Sequence, residues 1–290
     1  MRPIRAVAVL PKLFTLGNLV CGFFAIVVLA RIEKPIGIAA VPTPKIDSAR
    51  ELIGMIGSSD PTHNLMLSGA LILLAMFFDS VDGQVARLTR RTSDFGAQLD
   101  SLCDLVSFGL APAILLVKMC PQFTSLHSEA VWTIAALFAC CAALRLARFN
   151  VETDDNDDHM SFAGLPTPAA AAAIASFAIL SYTLRNEENI DLHAQFPVYD
   201  WWMQRLLPLF AVVIAILMVS RIPYPHPLTQ LLRGQRSFAH IVAIVFAVVA
   251  ILIVRGYAVP LLCVLFVLIP PLRFAWEVAR NRRTREEPLF

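Results

Sequence analysis

Charge is scarce in this chain of 290 residues: Asp, Glu, Lys and Arg make up 16% of it, and the formal net charge is +2. Soluble domains carry about 25% charged residues, so an ordinary water-facing surface is excluded. A balance of +2 is too small to argue for nucleic acid as a partner. Cysteine chemistry is missing as well. The six cysteines (Cys21, Cys103, Cys120, Cys140, Cys141, Cys263) lie in or beside apolar runs without C-x-x-C spacing, and they read as small apolar side chains. No internal repeat is visible, and no polar stretch is long enough to form a soluble domain between the apolar runs. A cleavage site is also lacking. Arg2, Arg5 and Lys12 precede an apolar run as in a signal peptide, but no A-x-A follows, and "NLVC" ending at Cys21 lacks the small residue of a lipoprotein site. The first run is therefore expected to be an uncleaved helix.

What is present is hydrophobic: 57% of the residues are apolar and the mean hydropathy is +0.66. Apolar spans fall at about 13–31, 64–88, 95–119, 131–149, 164–183, 206–220, 237–254 and 257–275. The sixth is short and only "RGY" separates the last two, so seven and eight spans are both compatible with the pattern. The fold class is an all-α polytopic transmembrane bundle in one integral membrane domain, with a core at about 10–220 and further helices at about 237–275. The segment 32–63, with Pro35, Pro42, Pro44 and Pro61, reads as an outer loop, and 276–290 as a basic cytoplasmic tail on anionic lipid.

Basic residues set the orientation. With the N-terminus cytoplasmic, that side holds 16 of the 24 Lys and Arg, although the opposite loops are longer. This predicts both termini on the cytoplasmic side of a cytoplasmic membrane.

Against this background, "DSVDGQVARLTRRTSDFGAQLDSLCD" (79–104) is anomalous. Ionisable groups at a membrane edge are costly and mark function by default. At about 100° per residue, Asp79, Asp82, Gly83 and Ala86 share one helical stripe with Arg87 beside it. Gly96, Asp100 and Asp104 share a stripe on the next helix, and the short connection makes the two helices antiparallel neighbours. Four converging carboxylates must be protonated in part, paired with cations, or holding divalent metal. Oxygen-only ligation suits Mg²⁺ or Mn²⁺, and two such ions form the usual clamp for phosphoryl chemistry. Gly83 and Ala86 leave room for a ligand against the backbone, and Arg87 offers a fork for phosphate. The bland alternative is a set of solvated helix-end carboxylates paired with Arg87, Arg90 and Arg91. The residues alone reach metal-dependent phosphate chemistry at a membrane surface and stop there.

The spacing Asp79-x-x-Asp82-Gly83-x-x-Ala86-Arg87, eight residues, Gly96, three residues, Asp100, three residues, Asp104 resembles the CDP-alcohol phosphatidyltransferase signature at every fixed position. "LPKLFTLGNLVCGFFAI" (10–26), "DSLCDLVSFGLAPA" (100–113), "ALRLARFN" (143–150), "FAGLPTPAAA" (162–171) and "IPYP" (222–225) look like the bacterial integral-membrane phosphatidylserine synthases within it. The 32–63 insert and Lys12, where that subgroup suggests asparagine, depart from the pattern. The resemblance implies a six-helix core, two divalent cations, and transfer of a phosphatidyl group from CDP-diacylglycerol to the hydroxyl of L-serine with loss of CMP. It further implies that Asp79, Asp82, Asp100 and Asp104 hold metal and that Asp104 is the general base. Gly83, Arg87 and Ser93 would touch the CDP-lipid, Ala86 and Gly96 would make space, and Asn18 would frame the nucleotide. A homodimer is implied in the same way.

A serine carboxylate needs a planar donor fork. Arg145 and Arg148, three apart at the end of the fourth span, and Arg221 are the candidates, with lipid anchoring as their alternative role. The acidic stretch 152–160, with His159, reads as a solvated loop, and His226 as a loop histidine. Two other functions stay open: a sibling enzyme that accepts glycerol 3-phosphate or inositol phosphate, and a divalent-cation transporter.

Overall fold

The computed structural model describes residues 10–32, 61–89, 94–120, 123, 129–152, 162–185, 190–224 and 257–285. In chain order the elements are α1 (Leu10–Ala30), α2 (Pro61–Thr89), α3 (Asp94–Asp104), a π-helical stretch (Leu105–Leu110) and α4 (Ala111–Met119). After these come α5 (Ala130–Glu152), β1 (Phe162–Ala163), α6 (Thr167–Arg185), α7 (Ile190–Val219), β2 (Pro223–Tyr224) and α8 (Ala258–Arg285). Seven helices among the described residues are long and apolar enough to cross a membrane, with α3, the π stretch and α4 counting as one span. The chain is a multi-pass integral membrane protein. Residues 33–60 of the expected outer loop, the acidic stretch beyond Glu152, and the span at 237–254 lie outside the described residues, and the end of that expected loop, Pro61 to His63, is the first turn of α2 instead.

Composition explains the layering. α6, "TPAAAAAIASFAIL", buries Ala170, Ala171, Ala173, Ala175 and Ala178 completely, because methyl-sized side chains let neighbours approach from every direction. Gly69 of α2 is one place of such approach: a Cβ there would lie 2.8 Å from the backbone oxygen of Ala175. Gly22 of α1 is another, where a Cβ would lie 2.7 Å from Cα of Ser107. α8 is the peripheral helix, with Leu261, Leu265, Leu272 and Trp276 exposed, as suits a face turned to lipid.

Successive spans run antiparallel, so the bundle has two ends. At one end, Arg185 donates to the Thr62 hydroxyl (3.0 Å) and Lys118 Nζ to the backbone oxygen of Ile32 (2.8 Å). Trp132, Trp201 and Trp202 are exposed at this same end, with the Arg205 guanidinium 3.8 Å from the Trp201 ring. The opposite end collects the start of α1, the end of α2, the start of α3, the end of α5 and the start of α6, and it carries the acidic cluster.

Three features depart from the expected spans. The third is interrupted, because Pro112 lacks an amide for the carbonyl four residues back, and the turn widens so that the Ala111 amide bonds to Val106. The fifth starts at Thr167 instead of 164, because Gly164 adopts φ 87° inside a small antiparallel clasp, Phe162 opposite Tyr224 and Ala163 opposite Pro223. The sixth is not short: α7 runs from Ile190 to Val219, of which Trp201–Val219 is the apolar span.

Candidate active site

The cluster assembles from the facing ends of α2 and α3, each acid lying within its spanning segment. Asp79 and Asp104 sit ten residues from the tips of their helices, about 15 Å along the axis at 1.5 Å per residue. Oxygen atoms of Asp79, Asp82 and Asp100 lie within 4.8 Å of one another, a separation a single divalent ion can bridge. Asp104 is in side-chain contact with Asp79, so the fourth carboxylate belongs to the same group. Asp82 and Asp104 are buried and the other two are half-buried.

A divalent cation fits these residues. Oδ2 of Asp82 and Oδ1 of Asp100 are buried and accept no hydrogen bond among the described residues. Such orphaned acceptors are costly in an apolar surround unless something positive meets them. A hard, oxygen-loving ion of the Mg²⁺ or Mn²⁺ type matches an all-carboxylate donor set.

α1 forms the third wall. Asn18 is fully buried and its Nδ2 donates to Oδ1 of Asp104 at 2.9 Å. The backbone carbonyl of Asn18 in turn accepts from the Ser107 hydroxyl at 3.0 Å. The close approach at Gly22 and the widened turn together place Ser107 for this bond. Buried Thr15, one turn before Asn18, hydrogen-bonds Asp82. At the helix tips, Lys12 lies 5.2 Å from the exposed ring of Phe95.

Gly83 faces open space: a Cβ there would meet nothing within 4 Å. The room that its stripe position predicts is present beside the carboxylates. On the other side, α5 brings buried Arg145 next to Asp104, where the two charges attract, and its Nη1 donates to the buried hydroxyl of Thr167 at 3.4 Å. Arg148, one turn on, is half-buried, and Arg221 is exposed beyond α7. Gly96 is half-buried near the start of α3. Ala86 and Arg87 lie on the last turns of α2, outside the residues whose side chains are described, and Ser93 lies outside the described residues.

The sequence reading missed four contributors. Thr15, Ser107 and the Ser101–Asn150 pair are polar residues on apolar helices, and helical spacing was a signal for Thr15 with Asn18. Ser101 and Asn150 bond reciprocally at 3.1 and 3.0 Å and tie α3 to the end of α5. The π stretch had only Pro112 to announce it.

The family model for CDP-alcohol phosphatidyltransferases matches residues 8–218 of this chain. A CDP-diacylglycerol–serine O-phosphatidyltransferase of Methanocaldococcus jannaschii is 38% identical over 163 residues, covering 56% of this chain and 65% of the relative. The protein of the same description in Helicobacter pylori is 34% identical over 165 residues, covering 57% and 63%. An archaetidylserine synthase of Methanothermobacter thermautotrophicus is 35% identical over 185 residues, covering 60% and 68%. The chain thus spans just under two thirds of the length of the first two relatives.

Proposed function

The chain belongs to the CDP-alcohol phosphatidyltransferase family, and from that premise we propose that it transfers the phosphatidyl group of CDP-diacylglycerol to L-serine. The observation that carries this reading is the group of three carboxylates with oxygens within 4.8 Å of one another, Asp82 and Asp100 each also carrying an orphaned oxygen, beside the open face of Gly83 and the Arg145 guanidinium. In the reaction the serine hydroxyl oxygen forms a bond to the β-phosphorus of the donor, which carries the diacylglycerol. The bond from that phosphorus to the bridging oxygen breaks, CMP leaves with the electron pair, and the hydroxyl proton goes to a base.

Asp79, Asp82, Asp100 and Asp104 would hold two divalent cations, which when bound offset charge on the pyrophosphate and on the departing CMP. Asp104 is the base in this reading. The Asn18 amide fixes the direction of its carboxylate, so proton transfer needs no reorientation as the new bond forms. Gly83, Ala86 and Gly96 leave space for the donor, Arg87 and Ser93 bind its phosphates, and Asn18 borders the nucleotide. Arg145, with Arg148 and Arg221 as further candidates, holds the serine carboxylate and sets the hydroxyl in line with phosphorus; such positioning is a large part of the rate. The acyl chains stay in the bilayer, serine and CMP exchange with the cytoplasmic side, and the active form is a homodimer in a cytoplasmic membrane.

The test is CMP release by purified protein in detergent with Mg²⁺ or Mn²⁺. Parallel reactions contain L-serine, glycerol 3-phosphate, inositol phosphate or no acceptor. Serine-specific release supports the reading. Release with a phosphorylated acceptor overturns the choice of substrate, and no release from folded protein overturns the activity and returns divalent-cation transport to consideration.

A further inference from the structure

The residues that follow 218 lie outside the family match, yet they reach back to the site. Tyr224 of β2 is completely buried, and its hydroxyl donates to the backbone carbonyl of Val267 in α8 at 3.0 Å. That carbonyl needs an outside donor. In an unbroken helix it would accept from the amide four residues on, and position 271 is proline. Burial pushes the Tyr224 hydroxyl up to about 12, so it keeps its proton and remains a donor at working pH. The ring also packs on Phe266, with centroids 6.2 Å apart.

The other side of Tyr224 leads to the acidic cluster. β2 pairs with β1, and the ladder continues as Gly164 N–H to the Ile222 carbonyl (2.9 Å) and Leu165 N–H to the Leu217 carbonyl (3.0 Å). Gly164 is required there: its φ is 87°, and a Cβ would lie 2.7 Å from the Ser220 carbonyl oxygen. Leu165 is fully buried, and two residues later the loop delivers Thr167 to Arg145. One covalent and hydrogen-bonded path therefore runs from α8 through Tyr224, the clasp and Thr167 to the arginine that faces Asp104.

We propose that Tyr224 is a positioning residue for the acceptor side of the site, tying the clasp, and through Thr167 the Arg145 guanidinium, to the proline-opened carbonyl of α8. The proposal rests on the reading above that Arg145 meets the acceptor.

The test uses the full chain in detergent, with Tyr224→Phe, Pro271→Ala and the double variant. Three quantities are read: KM for each substrate from CMP release, hydrogen exchange of the peptide covering Gly164 and Leu165, and the melting temperature, which Tyr224→Phe is expected to lower. Tyr224→Phe is expected to raise KM for serine roughly three- to ten-fold, the loss of one buried hydrogen bond, and to leave KM for CDP-diacylglycerol unchanged. Exchange at Gly164 and Leu165 quickens. Pro271→Ala supplies an amide to the Val267 carbonyl, so the double variant regains the melting temperature while the serine KM stays high and exchange stays fast. Wild-type exchange in Tyr224→Phe overturns the proposal. So does a rise of both KM values together, or a double variant whose serine KM returns to the wild-type value. If wild-type protein works only with another acceptor, the choice of serine has failed and the KM split is read with that acceptor. If it releases no CMP at all, the exchange measurement alone decides whether the clasp hangs on Tyr224.

Discussion

Asp104 concentrates several demands in one side chain. It touches Asp79, accepts from Asn18 and attracts Arg145, all at a buried position. With Asp104 as the proposed base, Asp104→Asn keeps the shape and removes that group, so serine-dependent CMP release is expected to fall about 10²–10⁴-fold, with an unchanged melting temperature showing that the fold survives. Arg145→Lys replaces a planar fork by a point charge. A rise of roughly ten-fold in KM for serine is expected, with little change for CDP-diacylglycerol, in initial-rate measurements. At this scale the sequence was readable wherever chemistry imposes spacing. The four carboxylates and Gly83 fell on two stripes that the fold brings face to face, and Arg145 was visible as a planar donor fork at the end of the fourth span. Ser107 and Asn150 were not readable, because an isolated hydroxyl or amide on an apolar helix has the same local pattern whether it faces lipid or a partner.

Among the elements, α1 and the widened turn after α3 behave as one unit, since Ser107 holds the Asn18 backbone and Asn18 holds Asp104. Gly22 sets their separation. In Gly22→Ala the new methyl would lie 2.7 Å from Cα of Ser107, which is backbone and cannot rotate aside. The helices must part, at a cost of about 1–3 kcal/mol. A lower melting temperature in detergent is expected, together with a loss of CMP release larger than instability explains at a temperature where the variant is folded. Helix positions followed from apolar length, but their internal breaks did not. The π stretch answers a tertiary need at Ser107 as well as the missing amide of Pro112. The two-residue clasp is too short to leave a period-two pattern, and α7 extends well before its apolar span through residues whose polarity resembles a loop.

For the whole molecule, four acids packed together would make the folded state depend on any divalent cation they hold. Anything that binds the folded form alone stabilises it, by about 2.7 kcal/mol when its free concentration is a hundred times the dissociation constant. Mn²⁺ is therefore expected to raise the melting temperature along a saturating curve that EDTA reverses. Asp82→Asn, which takes one orphaned oxygen from the cluster, should flatten that curve. Persistence of the full Mn²⁺ shift in this variant would place the ion elsewhere.

The tryptophans lend the molecule to optical measurement. All four, Trp132, Trp201, Trp202 and Trp276, are exposed, and three of them cluster at the end of the bundle remote from the acids. Intrinsic fluorescence therefore reports on the surrounding lipid rather than on substrate. Quenching by lipids brominated at successive depths would measure how far that end lies from the bilayer centre, in a native protein that needs no label.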